Sequence, residues 1–182
     1  MRMISSETLL SLAIKYIEEW SEIIAQISGY RSDFLSYTSH YRKRARNNMH
    51  ISPLGELFSA MAQACIYHAQ NDSQWWRCNA SGLINSQEAA IQYMGISGFV
   101  ANPQPNMDLV SCVLLQTRDD FLHKFEHELG ELLKSTAPQL RPDDLDSLQS
   151  TILCLYEKDI GEEDNSLWIW KLRRDFLLKI PS

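Results

Sequence analysis

The chain has 182 residues, 45% of them hydrophobic and 22% charged, with a formal net charge of −6. That is the composition of an ordinary globular protein able to bury a core without staples, and its four scattered cysteines form no Cys-x-x-Cys pair, which argues against a zinc knuckle or a redox dithiol. No apolar run nears the ~20 residues that span a bilayer, and the run from Leu9 to Ile17 is broken by Lys15 and followed by acids where a secretory leader would offer small residues, so a mature cytoplasmic protein with reduced cysteines is expected.

Ser5 or Ser6 can cap a first helix from about Glu7 to Ser28, with Leu10, Ala13, Ile14, Ile17, Trp20, Ile24 and Ile27 on one face and Gly29 as its stop. A second helix is expected from about Ser32, ending in Arg42, Lys43, Arg44 and Arg46. Basic side chains there complement the helix dipole, and with Arg31 and Tyr41 they form a small candidate site for phosphate or an acidic partner. Ser52-Pro53 opens a third helix to about Gln70, whose buried face runs from Leu54 through Phe58, Met61, Cys65 and Ala69.

Trp75 and Trp76 open a segment read as irregular as far as Gly82. Two adjacent tryptophans cannot share one face of a helix or strand, so one of them is expected to stand partly exposed, as an interface anchor or a plug over the core. Asn85 with Glu88 resembles a capping box for a short helix from Ser86 to about Met94. The stretch from Gly95 to Asn106 carries glycine and proline at turn spacing and is expected to be a long loop or a boundary between two helical halves.

From Asn106 to Lys134, Met107, Val110, Val113, Leu114, Phe121, Leu122, Phe125, Leu129, Leu132 and Leu133 recur at spacings of three and four. The stripe falters at Thr117, where Thr117 and Asp120 suggest a fresh cap, so two helices or one kinked helix meet there. Pro142 starts a further helix through Asp159, with Leu145, Leu148, Ile152, Leu155 and Tyr156 inward. After an acidic loop from Gly161 to Asn165, Ser166 caps a last helix that buries Leu167, Trp168, Leu172, Phe176, Leu177 and Ile180. With no repeat and no alternating strand pattern, the expected fold is all-α: a single domain over residues 1–182, with a possible division near 95–106, of seven or eight helices built from antiparallel helical hairpins.

Charge is uneven. Residues 1–91 carry 8 Lys and Arg against 8 Asp and Glu, whereas residues 92–182 carry 9 against 15. Between Arg118 and Asp164 the count is 5 against 13, a local −8 that argues against a nucleic-acid groove and for a basic partner or simple solvation. A helix-turn-helix reader is not expected either, because the basic run at Arg42–Arg46 ends a helix and no recognition helix follows it.

Chemistry is thinly marked. His123, His127 and Glu131 stand four residues apart and would share one side of a helix, and His127-Glu128-x-x-Glu131 is a relative of the His-Glu-x-x-His zinc pattern with its second histidine missing. A catalytic zinc needs a third ligand, and the remaining histidines, His40, His50 and His68, all lie upstream. Alternating charges at Asp120, Lys124 and Glu128 describe a solvated helix face equally well. Asp119 and Asp120 beside Arg118 suit helix capping better than acid–base work. There is no Gly-x-Ser-x-Gly, phosphate-cradling glycine loop or dinucleotide fingerprint, and no cofactor or metal is expected.

The expectation from these residues is a non-enzymatic acidic protein that binds and masks a protein partner, a basic one such as a toxin, with Glu128, Glu131, Asp143, Asp144, Glu162 and Glu163 as the charged contacts and Trp75 and Trp76 as the aromatic anchor. In composition and architecture, though through no motif, the chain is similar to small helical immunity proteins that neutralise bacterial toxins and to secretion-system accessory proteins. The alternatives are a metal-dependent hydrolase on the His123, His127 and Glu131 face, and a ligand-responsive helical regulator.

Overall fold

A computed structural model of the protein describes residues 6–28, 53–115, 119–156 and 163–180. Every regular element among these residues is helical. The chain divides into two compact units, Met1–Asn102 and Pro103–Ser182. The division falls inside the glycine- and proline-bearing stretch 95–106. Gly29, the helix expected from Ser32 with its Arg42–Arg46 cluster, the Ser52 cap, Thr117 and Glu162 lie outside the described residues.

In the first unit α1 spans Glu7–Ser28, α2 Pro53–Gln70, α3 Gln74–Asn85 and α4 Ala89–Ala101. Ser6 caps α1 by accepting the Leu9 N–H at 3.4 Å. α2 ends in a left-handed residue, Asp72 (φ 45°), with Ser73 N–H returning to the His68 carbonyl and Asp72 N–H to that of Ala69, each at 3.0 Å. These are the paired bonds of a Schellman turn, with aspartate in place of the usual glycine. Ser73 then caps α3 by accepting the Trp76 N–H at 3.2 Å, so one serine closes the turn and opens the next helix.

α4 is the centre of this unit. It packs against both α2 and α3, and Ala89, Ala90, Ile91, Met94, Gly95, Ile96, Gly98 and Phe99 are buried around most of its circumference. A helix apolar on all sides belongs inside. The expected loop at 95–106 is therefore helix as far as Ala101, because its glycines are contact points and not turns. A Cβ on Gly95 would stand only 3.3 Å from Leu83 and Ile84, and one on Gly98 would overlap the ring of Trp76. The cap is also displaced: Asn85 is the last residue of α3, and Glu88 is the N-cap of α4, accepting the Ala90 N–H with its own side chain.

In the second unit a 3₁₀ turn, Gln104–Asn106, leads into α5, Met107–Leu115; α6 is Asp119–Thr136, α7 Pro142–Cys154 and α8 Glu163–Leu177. α7 packs against α5 and α8. Leu114 of α5, Leu122, Leu129 and Leu133 of α6, Leu148 and Ile152 of α7 and Phe176 of α8 close round a void of about 10 Å³. At the lower limit for one water, and with apolar walls, such a space stays dry. The periodic stripe of α5 and α6 is buried as its spacing requires, apart from half-buried Met107 and Phe121. No described helix is long and apolar enough to cross a membrane.

Two helix ends differ from the expectation. α7 stops at Cys154 and not at Asp159. Tyr156 takes a left-handed conformation (φ 55°), and the Leu155 carbonyl is held by the buried guanidinium of Arg173, whose Nε donates to it at 2.8 Å. α8 starts at Glu163, ahead of Ser166, and buries Ile169, Leu172, Arg173 and Phe176, leaving Leu167 and Trp168 outward.

Candidate functional site

Trp75 and Trp76 do not form an exposed anchor: they are 7% and 0% accessible. Adjacent helical residues point about 100° apart, and α3 has neighbours on both sides. Trp76 turns toward α4, where its ring meets Phe99 edge-on at 5.5 Å over the bare backbone of Gly98. Trp75 turns toward α1, donating its indole N–H to Ser11 Oγ at 2.9 Å while its ring lies 5.3 Å from that of His68. A helix between two partners has two buried faces, so neither tryptophan is left partly exposed.

Both exposed tryptophans among the described residues are on α8. Leu167 is 80% accessible, Trp170 54% and Trp168 43%, and Leu178 follows just beyond the helix at 75%. Each tryptophan is steadied on its inner side. Trp168 meets Tyr156 edge-on at 5.1 Å, and the Arg173 guanidinium lies 5.3 Å from the centre of the Trp170 ring. Arg173 is thus fixed from two directions, since the same group caps α7. Large rings held in place but open to solvent lose little side-chain entropy on contact with a partner, which is the property of an interface anchor. Reading Leu167 and Trp168 as core missed this surface, because the helical period of α8 is satisfied equally by a face rotated through one residue, centred on Ile169.

The acids expected to bind a partner lie in the same unit but do not converge on one point. Asp143 is exposed in the first turn of α7; Asp144, beside it, is held by Arg141 through bonds of 2.9 and 3.2 Å. Glu128 and Glu131 are half-buried on α6. The side chain of Glu163 and all of Glu162 lie outside the described residues. No charged residue falls between positions 92 and 102, so residues 103–182 hold 9 basic and 15 acidic residues and residues 1–102 hold 8 of each. All of the net charge belongs to the second unit.

The histidine helix face is altered by a break in α6. Phe125 is buried with non-helical dihedrals (φ −128°, ψ 25°), so the helix kinks between His123 and His127 and their four-residue spacing no longer makes them regular neighbours. His127 is exposed and Glu131 half-buried, and the side chain of His123 lies outside the described residues. Among the described residues no three His, Cys, Asp or Glu side chains stand together as a metal site. Of the four free cysteines only Cys65 is buried, and burial pushes its thiol up to about 12, which makes it inert; Cys78, Cys112 and Cys154 are exposed.

One buried polar link sits apart from these surfaces. Ser21 of α1 donates to the carboxylate of Glu88 at 2.6 Å, both residues being almost fully buried, which ties α1 to the start of α4. No family model, curated protein or solved structure matches the chain.

Proposed function

We propose that the protein acts by binding and masking another protein, without catalysing a reaction, and that the contact is made by the outward face of α8. The observation that carries this reading is the set of exposed apolar side chains around α8: Leu167, the pre-positioned Trp168 and Trp170 on either flank of the buried face, and Leu178 beyond them. A helix with one face in a core and large rings open to solvent along its flanks offers anchors to a partner. The acidic balance of residues 103–182 favours a basic partner, for which an inhibitor of a nucleic-acid-directed toxin is one setting, and free cysteines suit a reducing compartment such as the cytoplasm.

The test is capture of partners by immobilised full-length protein, repeated with the double variant Trp168→Ala, Trp170→Ala. Loss of a hot-spot tryptophan costs about 2 kcal/mol or more, roughly thirtyfold in Kd. The expected result is a partner of basic composition retained by the parent chain and lost by the double variant, with circular dichroism unchanged. A partner held equally by both proteins would move the interface away from α8.

A further inference from the structure

A second surface, in the first unit, is independent of α8. The pairs Ser11 with Trp75 and Glu18 with Ser86 show that α1 and α3 run in the same direction, joined near the start by the indole N–H bond to Ser11 and near the end by the Ser86 hydroxyl, which donates to Glu18 at 3.4 Å. Between these ties the helices part and leave a groove of about 220 Å³. Seven residues of helix separate Ser11 from Glu18, roughly 10 Å. The volume is below the ~300 Å³ at which drug-sized pockets begin, so the occupant is compact.

The walls define its chemistry. Ile14, Leu83, Ile91 and the indole of Trp75 supply apolar surface. The polar groups that line the groove leave acceptors open, the Glu18 carboxylate and the Asn79 side-chain oxygen among them. The Trp75 N–H is used by Ser11, and one N–H of the Asn79 amide donates to the Trp75 carbonyl at 2.7 Å, which turns the side-chain oxygen and the second N–H of Asn79 away from that bond. Among the described residues Glu18 receives only the long Ser86 bond. Among the described residues no lysine or arginine lines the groove, and Lys15, the nearest cation in sequence, pairs with Glu19 at 3.5 Å. A negative charge, an amide oxygen and an aromatic wall together select a positively charged donor on an apolar stem. Gly82 keeps the groove open: a Cβ at this position would have nothing within 4 Å.

We propose that this groove between α1 and α3 binds a small organic cation, a primary ammonium carried on a compact apolar body. The test uses phenethylammonium and its neutral counterpart 2-phenylethanol, titrated into the full-length protein while the indole N–H resonance of Trp75, assigned with Trp75→Phe, is followed by NMR. The expected result is saturable movement of that resonance by the ammonium at a Kd at least tenfold below that for the alcohol. Glu18→Gln should bring the ammonium down to the level of the alcohol. Gly82→Leu, which fills open space on a helix, should abolish the response to both while leaving the unfolding temperature unchanged or higher. Equal binding of the two probes, no movement of Trp75 at millimolar ammonium, or binding that survives Gly82→Leu would each overturn the proposal.

Discussion

His68 shows how a single buried residue sets a dependence on pH. It is 3% accessible, its Nδ1 lies 3.0 Å from Ser73 Oγ, and its Nε2 is buried without a hydrogen-bond partner among the described residues. Ser73 accepts from the Trp76 N–H and can give its own proton to the imidazole, an arrangement that suits a neutral ring. Burial holds the imidazole below its ordinary pKa of 6.5, with the negative charge of Glu7 opposing the shift more weakly. The unfolded chain therefore takes up a proton near pH 6.5 that the folded chain refuses. Stability from this residue is complete above that pH and is lost as the pH falls through it toward the depressed folded value. Urea midpoints at pH 7.5 and 5.5 should differ more for the parent protein than for His68→Gln, which keeps a polar partner for Ser73. An identical pH dependence in the two proteins would show that His68 carries no such linkage.

At the scale of elements, the glycines of α3 and α4 separate two uses of one residue type. A Cβ on Gly98 would overlap the indole of Trp76, whereas a Cβ on Gly82 would meet nothing. Alanine is the better helix former by about 1 kcal/mol at either place. At Gly98 overpacking against a fully buried ring opposes that gain at a cost of about 1–3 kcal/mol, and the ring cannot retreat because Phe99 lies against it. Gly98→Ala should therefore lower the urea midpoint and Gly82→Ala should raise it, a difference in sign that chemical denaturation can read directly. Had both variants moved the same way, the close approach of Trp76 to α4 would not be what Gly98 serves. The same logic explains the misplaced loop at 95–106. Glycine spacing alone does not distinguish a turn from a site where a neighbouring ring must come close, and only the position of Trp76 decides. The end of α7 was equally hidden, because it depends on Arg173, a residue 18 positions further on that reaches the Leu155 carbonyl.

For the whole molecule the main electrical fact is that the net charge of −6 lies within residues 103–182. If acids scattered over α6 and α7 attract a partner that α8 then holds, attraction and retention respond to different changes. Raising ionic strength from about 0.1 M to 1 M shortens the screening length from roughly 10 Å to 3 Å. Association with the basic partner should slow at least tenfold, while dissociation, set by Trp168 and Trp170, changes little. Glu128→Lys with Asp143→Lys should flatten that dependence. Salt-insensitive association would assign the acids to solvation alone. What the sequence determined by itself is what local periodicity and capping carry: the all-helical class, the extents of α1 and α2, and the buried stripe of α5 and α6, because these depend on residues within a turn or two of one another. What only the tertiary structure decided is which side of a helix has a neighbour. Trp75 and Trp76 are both buried because α3 lies between α1 and α4. Trp168 and Trp170 are both exposed because the core meets α8 at Ile169, Leu172 and Phe176. An apolar side chain is equally apolar on either face, and its burial is settled by the partner that packs against it.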